Sequence, residues 1–171
     1  MPHTPFPHRQ SIRLDGWDYA GPGWYFITTG TWQRRRVLAR VDRRRMRLTR
    51  SGRIVQRVWE ALPAHFPNLT IDGFVIMPDH IHGILCITRP CRAERARAGG
   101  QQAVDATSGS LGAVVRSLKG NSTRLIRRRW PEVGRVWHRN YYERVIEHAE
   151  GLERARRYVA QNPEKWIRSR G

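Results

Sequence analysis

Residues 74–85 constrain this chain more than any other stretch. Phe74, Val75, Ile76 and Met77 lead into Pro78-Asp79, and His80, Ile81, His82, Gly83, Ile84 and Leu85 follow. Apolar and β-branched runs on either side of a proline-containing turn predict strand, tight turn, strand. Successive strand residues point to opposite faces, so His80 and His82 share one face and Ile81 takes the other. Two imidazoles held in parallel on a stiff strand can bind one divalent metal ion. Taken alone, a His-x-His pair is equally two ordinary histidines at a strand end. Its weight therefore depends on the rest of the chain.

Ahead of this hairpin, residues 1–18 form a basic, proline-containing arm with no apolar core, unlike a secretory signal. Gly21-Pro22-Gly23 marks a turn. Residues 24–29, rich in aromatic and β-branched side chains, predict a first strand. Residues 34–50 are densely basic, either a loop or ribbon over nucleic acid or solvated arginines around a short element. Ser51 is a candidate helix cap. Ile54, Val55, Val58, Trp59 and Leu62 then fall on one helical face, with Pro63 and Pro67 as its end. Strands are predicted over residues 69–77 and 80–88.

Residues 89–108 combine Pro90, Gly99-Gly100 and several arginines and alanines without an apolar period, and read as a flexible loop. Ser110 caps a second helix, whose stripe of Leu111, Val114, Val115, Leu118, Leu125 and Ile126 faces a core. Arg116, Lys119, Arg124, Arg127 and Arg128 lie on its other faces, and Gly120-Asn121 weakens its middle. Residues 133–146 suggest a last strand, residues 150–161 a third helix, and Pro163 its limit. The order strand, helix, strand, strand, helix, strand is that of a ferredoxin-like, split-βαβ antiparallel sheet, an α+β fold. The helices would cover one sheet face and leave the other open. All 171 residues form one domain.

The chemistry of the partner is written in the charge. With 32 basic and 14 acidic residues the net charge is +18, and only Lys119 and Lys165 are lysines. Such an excess fits a polyanion, most simply nucleic acid, and guanidinium forks match phosphate. Cys86 and Cys91 form no metal-ligand or disulfide spacing, consistent with a reducing cytoplasm. No apolar run is long enough to span a bilayer.

A metal on two histidines needs an open position for substrate and a nucleophile nearby. The last helix offers Tyr158 and, four residues on, Asn162 on the same face. A tyrosine there could attack phosphorus while an amide oxygen completes the metal site. A phenol is a weak nucleophile at neutral pH, so a cation or an arginine such as Arg156 would have to assist it. Read singly, Tyr158 is a tyrosine bordering a core and Asn162 a C-terminal cap. Tyr141 and Tyr142 compete for the same role.

Five segments in this order resemble the REP-associated tyrosine transposases, within the His-hydrophobic-His single-strand transposases. They are Tyr25-Phe26-Ile27-Thr28, Met77-Pro78-Asp79-His80-Ile81-His82, Ser117-Leu118-Lys119-Gly120, Val136-Trp137-His138-Arg139-Asn140-Tyr141-Tyr142-Glu143 and Arg157-Tyr158-Val159-Ala160-Gln161-Asn162-Pro163. The resemblance implies a ferredoxin-like sheet carrying a Mg²⁺ or Mn²⁺ ion on His80 and His82, with Asn162 as third ligand. It implies that Tyr158, rather than Tyr141 or Tyr142, attacks a DNA phosphate, leaving a 5′-phosphotyrosine and a free 3′-hydroxyl. The implied substrate is single-stranded DNA beside a hairpin, cut and rejoined in a bacterial, nucleoid-associated setting. Monomer and homodimer both stay open. Lys119, Arg116, Arg124, Arg139 and Arg156 are the candidate DNA contacts, and Arg139 and Glu143 match family positions without an assigned role. Two other readings compete: a single-strand-binding module that stacks bases on Trp24, Tyr25, Phe26 or Trp137 of an RNA-recognition-like sheet, and a transposase that has lost its activity and serves regulation.

Overall fold

The structure, a computed structural model, describes residues 22–88 and 109–169. The predicted N-terminal arm, the loop at 89–108 and Cys91 lie outside the described residues. Strand β1 (Gly23–Gly30) pairs antiparallel with β5 (His80–Ile87) on one side and β6 (Tyr142–Ile146) on the other, and β4 (Leu69–Ile76) pairs with β5. The order β4-β5-β1-β6 is the split-βαβ order expected from the element sequence.

Strand alternation sorts the side chains into two layers. Tyr25, Ile27, Ile81, Leu85 and Val145 face helices α1 (Arg50–Glu60) and α3 (Leu111–Arg129), and this layer is the main core. Phe26, Ile84 and Ile146 face the other way and pack against Ala155 and Val159 of α4 (Ala149–Arg168). The second sheet face, expected to stay open, is thus crossed by the last helix. That helix does not stop at Pro163, which lies inside it. An internal proline forfeits one helical hydrogen bond and costs about 3 kcal/mol. The buried residues Val159, Asn162 and Trp166 on both sides of it hold the helix to the sheet and offset that cost.

Local capping chemistry shifts other boundaries. Thr49, not Ser51, caps α1, its Oγ1 accepting from the Gly52 N–H at 3.0 Å. Pro63 does not end α1 but sits in the first turn of the short helix α2 (Leu62–His65), where a missing N–H is harmless. Ser110 caps α3 as expected. The basic stretch forms a two-stranded ribbon, β2 (Ala39–Asp42) with β3 (Arg45–Leu48), turned by Arg43 and Arg44 at φ of 46° and 60°. Strand β6 is shorter than residues 133–146. Val136 and Trp137 touch β1 only through a Thr31–Trp137 bridge, and the carbonyls of residues 138–140 turn to the Lys119 ammonium instead of to a strand.

Gly83, next to the histidine pair, has a packing reason. Trp59 of α1 stacks on Phe74 with ring centroids 4.4 Å apart and crosses the sheet over Gly83. A Cβ at Gly83 would lie 2.4 Å from the indole ring. Gly83→Ala is therefore expected to lower stability by about 1–3 kcal/mol through overpacking. Urea unfolding with an unchanged midpoint would show that the indole can move aside freely.

Candidate active site

The β1–β5 register places Thr28 directly opposite His82, and Gly30 opposite His80. Thr28 Oγ1 is 2.7 Å from His82 Nδ1. His80 Nδ1 is 2.6 Å from Asp79 Oδ1, and Arg34 Nε lies 3.2 Å from the other carboxylate oxygen. A carboxylate only accepts, so Asp79 fixes His80 with its proton on Nδ1. Both outer nitrogens are thus engaged, and the inner ones, His80 Nε2 and His82 Nε2, face each other at 3.1 Å. Partners on the outer nitrogen of this kind are what orient metal-ligating histidines.

The Thr28 hydroxyl decides what lies between the rings. If it donates to His82 Nδ1, the proton on His82 Nε2 bridges to His80. If it accepts, both Nε2 lone pairs converge on one point. Two ligands at right angles on an octahedral ion with bonds of about 2.1 Å lie about 3.0 Å apart, so the observed spacing fits such an ion. Burial, with the charges of His80 and Arg34 adding, pushes the His82 imidazole down to about 3, keeping it neutral as a ligand must be. Among the described residues no third His, Cys, Asp or Glu joins the pair in a metal-holding group. A further protein ligand has to be of another type, and an amide oxygen qualifies.

Helix α4 supplies it. Tyr158, Asn162 and Trp166 are spaced by four and share one face. The Tyr158 ring lies 5.2 Å from the His82 ring, and the Trp166 ring 5.7 Å from that of His80. Asn162, buried between them, is thereby carried on the helix face turned to the histidines. Tyr158 is 44% exposed although it borders Phe26 and His82, so its phenol is open to an incoming substrate. Lys165, two turns on, sets its ammonium 6.0 Å from the centre of the Tyr158 ring. Tyr142 shares the histidine face but stands two strands away, opposite Thr28, about 10 Å from His82 along the sheet. Tyr141 lies beside α3, with Lys119 Nζ 5.5 Å from its ring centre.

The register of α4 on the sheet has its own lock. Strand β4 slips between Ile71 and Phe74, and Asp72 in that irregularity accepts from the Gly73 N–H at 2.6 Å. Arg156 of α4 grips the Asp72 carboxylate through Nε and Nη2, the latter at 2.6 Å, and also reaches Glu153. Arg156, expected as a DNA contact, is thus committed to two carboxylates and tethers the helix. Those bonds hold the Asp72 carboxyl below its ordinary range and push Arg156 up.

The remaining basic candidates are not at the histidine pair. Arg116, Lys119, Arg124 and Arg139 line one cleft of about 1110 Å³ between α3 and residues 134–141. Lys119 donates to the carbonyls of His138, Arg139 and Asn140 at 3.0–3.4 Å, and burial pushes it down to about 8. Its three protons close the turn, which corrects its expected role as a phosphate contact. Glu143 is buried in the layer opposite the histidines, between β1 and the main core. Sequence reasoning missed Thr28, Asp79, Trp166 and Lys165 as site neighbours. The readable signals were Asp79 adjoining His80, and Lys165 as one of two lysines in an arginine-rich chain. Nothing local pointed to Thr28, because its partner is 54 residues away.

Over 163 residues the chain is 34% identical to a Haemophilus influenzae protein described as uncharacterized, covering 93% of this chain and 90% of that relative. No family model matches the chain. Among solved structures it is similar to a REP-associated tyrosine transposase bound to a REP hairpin, with a TM-score of 0.59 and 17% identity over 91% of this chain and 74% of the other. No helix among the described residues is long and apolar enough to cross a membrane.

Two outcomes follow from this geometry. His82 in the metal-free fold refuses a proton that the unfolded chain accepts below about pH 6.5. Its stabilising contribution is complete above pH 6.5 and is lost as the pH falls toward 3. Stability should fall by up to about 1.4 kcal/mol per pH unit on acidification below 6.5, and His82→Asn should flatten that slope. Urea midpoints taken at several pH values check it, and equal slopes in both proteins would assign the acid limb to another group. Separately, Asp72→Asn is expected to raise amide exchange in α4 while leaving β1 and β5 protected. Uniform protection would mean that apolar packing alone docks the helix.

Proposed function

We propose that this chain, which belongs to one family with the Haemophilus influenzae relative and has the fold of the REP-associated tyrosine transposases, cuts and rejoins single-stranded DNA beside a hairpin, using Tyr158 as nucleophile. The observation that carries the reading is the position of Tyr158, in ring contact with His82 yet open to solvent. His80, His82 and Asn162 would hold a Mg²⁺ or Mn²⁺ ion. Such an ion supplies Lewis-acid polarisation of the scissile phosphate and neutralises charge developing on it.

The chain's own residues account for the remaining chemistry. Asp79 and Thr28 aim the two imidazoles. Phe26 stacks on His82 at 5.3 Å between ring centres and excludes water from that side. The Tyr158 phenol loses its proton as its oxygen bonds to phosphorus, and the bond from phosphorus to the 3′ oxygen breaks. The leaving 3′ oxygen takes up a proton, and the DNA 5′ end stays on Tyr158. The Lys165 ammonium stabilises negative charge on the phenol oxygen. In rejoining, a 3′-hydroxyl attacks the phosphotyrosine and Tyr158 leaves as phenol. One phosphodiester is exchanged for another, so no nucleotide is consumed.

The binding-module reading loses its platform. Tyr25 and Trp137 are buried in the main core, and Phe26 lies beneath α4 with Trp24 packed at the edge of the same cluster. A sheet covered in this way presents no open face on which bases could stack.

A covalent-adduct assay tests the proposal. The protein is mixed with a labelled pool of single-stranded hairpins and Mg²⁺ or Mn²⁺. A denaturant-resistant protein–DNA band is expected, lost in Tyr158→Phe and His80→Ala and kept in Tyr142→Phe. A band lost only in Tyr142→Phe would transfer the nucleophile role. Tight, metal-independent binding by the wild type with no band would turn the reading toward an inactive binder.

A further inference from the structure

The cleft between α3 and residues 134–141 lies in the layer opposite the histidines, yet it opens close to them. Gly30 is paired with His80 on one side, and its carbonyl accepts from the His138 N–H on the other. His138 lines the cleft, so its rim is two strand spacings, about 10 Å, from the metal-ligand strand.

Helix α3 has no acidic residue. Arg116, Thr123, Arg124 and Arg127 form a stripe along it that spans about 16 Å from end to end. Arg139 faces this stripe from the opposite wall. Among the described residues no carboxylate pairs with Arg116, Arg124, Arg127 or Arg139. Gly120 stands in the middle of the stripe. It is exposed, a Cβ there would meet nothing within 4 Å, and glycine is among the poorest helix formers. Packing therefore does not require a glycine at this position. A missing side chain at the floor of a basic cleft is what close approach of a ligand backbone requires.

The aromatic residues here are spoken for. Trp137 is buried and donates its indole N–H to Ser122 at 2.9 Å. Trp32 is stacked between His138 and Arg135. Lys119 approaches the Tyr141 ring. The cleft thus offers guanidinium groups and no free stacking surface. Single strands are held by aromatic platforms, whereas a duplex keeps its bases to itself and presents phosphates.

From this arrangement we propose that the α3 cleft is the seat of the double-stranded stem of the DNA hairpin, held through phosphates by Arg116, Arg124, Arg127 and Arg139 with Gly120 as the point of closest approach. The inference rests on the DNA substrate proposed above and adds where the duplex part lies. Lys119 acts here as a positioning residue, keeping the Arg139 wall in place through its three carbonyl contacts.

The test compares two probes: a DNA hairpin with a single-stranded extension, and the extension alone. The variants are Arg116→Ala/Arg124→Ala/Arg127→Ala and Gly120→Leu, each checked for thermal stability. The triple variant should weaken hairpin binding at least about tenfold and reduce the log–log salt slope by about 2–3, while leaving the extension's affinity unchanged. Gly120→Leu keeps every charge and is a better helix former, so hairpin affinity should fall with no loss of thermal stability. Unchanged hairpin affinity in both variants overturns the proposal, and so do equal losses on hairpin and extension. Hairpin-specific losses in a protein that forms no Tyr158 adduct would leave the cleft assignment standing and remove the nucleophile.

Discussion

The docking of the last helix across the second face of the sheet is the contact on which the candidate site depends. Phe26, Ile84 and Ile146 below, and Ala155 and Val159 above, form a small apolar layer separate from the main core. Without it His80 and His82 would stand on an open sheet, and Tyr158 and Asn162 would be elsewhere. Apolar contact alone is non-directional. The tie between Arg156 and Asp72 adds direction, because a guanidinium held by one carboxylate tolerates little sliding. Asp72 can reach it because β4 is irregular at that point. A defect in the strand ladder is thus part of what sets the distance between tyrosine and histidine.

The same face shows why the two histidines are neighbours in space as well as in sequence. Strand alternation brings them to one side, but alternation leaves ring orientation free. Asp79 and Thr28 remove that freedom from the outer nitrogens, and Phe26 and Trp166 confine the rings from the sides. Burial keeps His82 neutral in a chain of net charge +18. Positive surroundings and low polarity act in the same direction here, both disfavouring the protonated ring.

What could be read from the chain and what could not divide along the range of the interaction. The sheet order, the face shared by His80 and His82, and the four-residue spacing of Tyr158 and Asn162 follow from periodicity, which is local. The helix through Pro163 was missed because proline's local cost was weighed without the burial of Val159, Asn162 and Trp166 on both sides of it. The cap at Thr49 was missed because Ser51 is chemically as good a cap, and only the contact of Thr49 with Val37 and Leu38 selects between them. The basic residues were legible as a set but not as individuals. Arg156 and Lys119 look like phosphate ligands in sequence, and both prove to be occupied by partners 84 and about 20 residues away.

The charge of the site bears on how it would work. Two neutral imidazoles and one neutral amide bring no negative charge to a cation, and Asp79 is already balanced by Arg34. The chain as a whole is strongly positive. A divalent ion held by such a set lacks the carboxylates that stabilise it elsewhere, so the missing charge has to come from the substrate. A phosphodiester provides it, and the arginines of the α3 cleft draw that polyanion toward the protein. Under the proposed function, ion and DNA therefore favour each other's binding: each supplies the charge that makes the site tolerable for the other, and linkage makes that preference reciprocal. The neutrality of the ligand set then acts as a safeguard, leaving the site weakly loaded until the strand to be cut is in place.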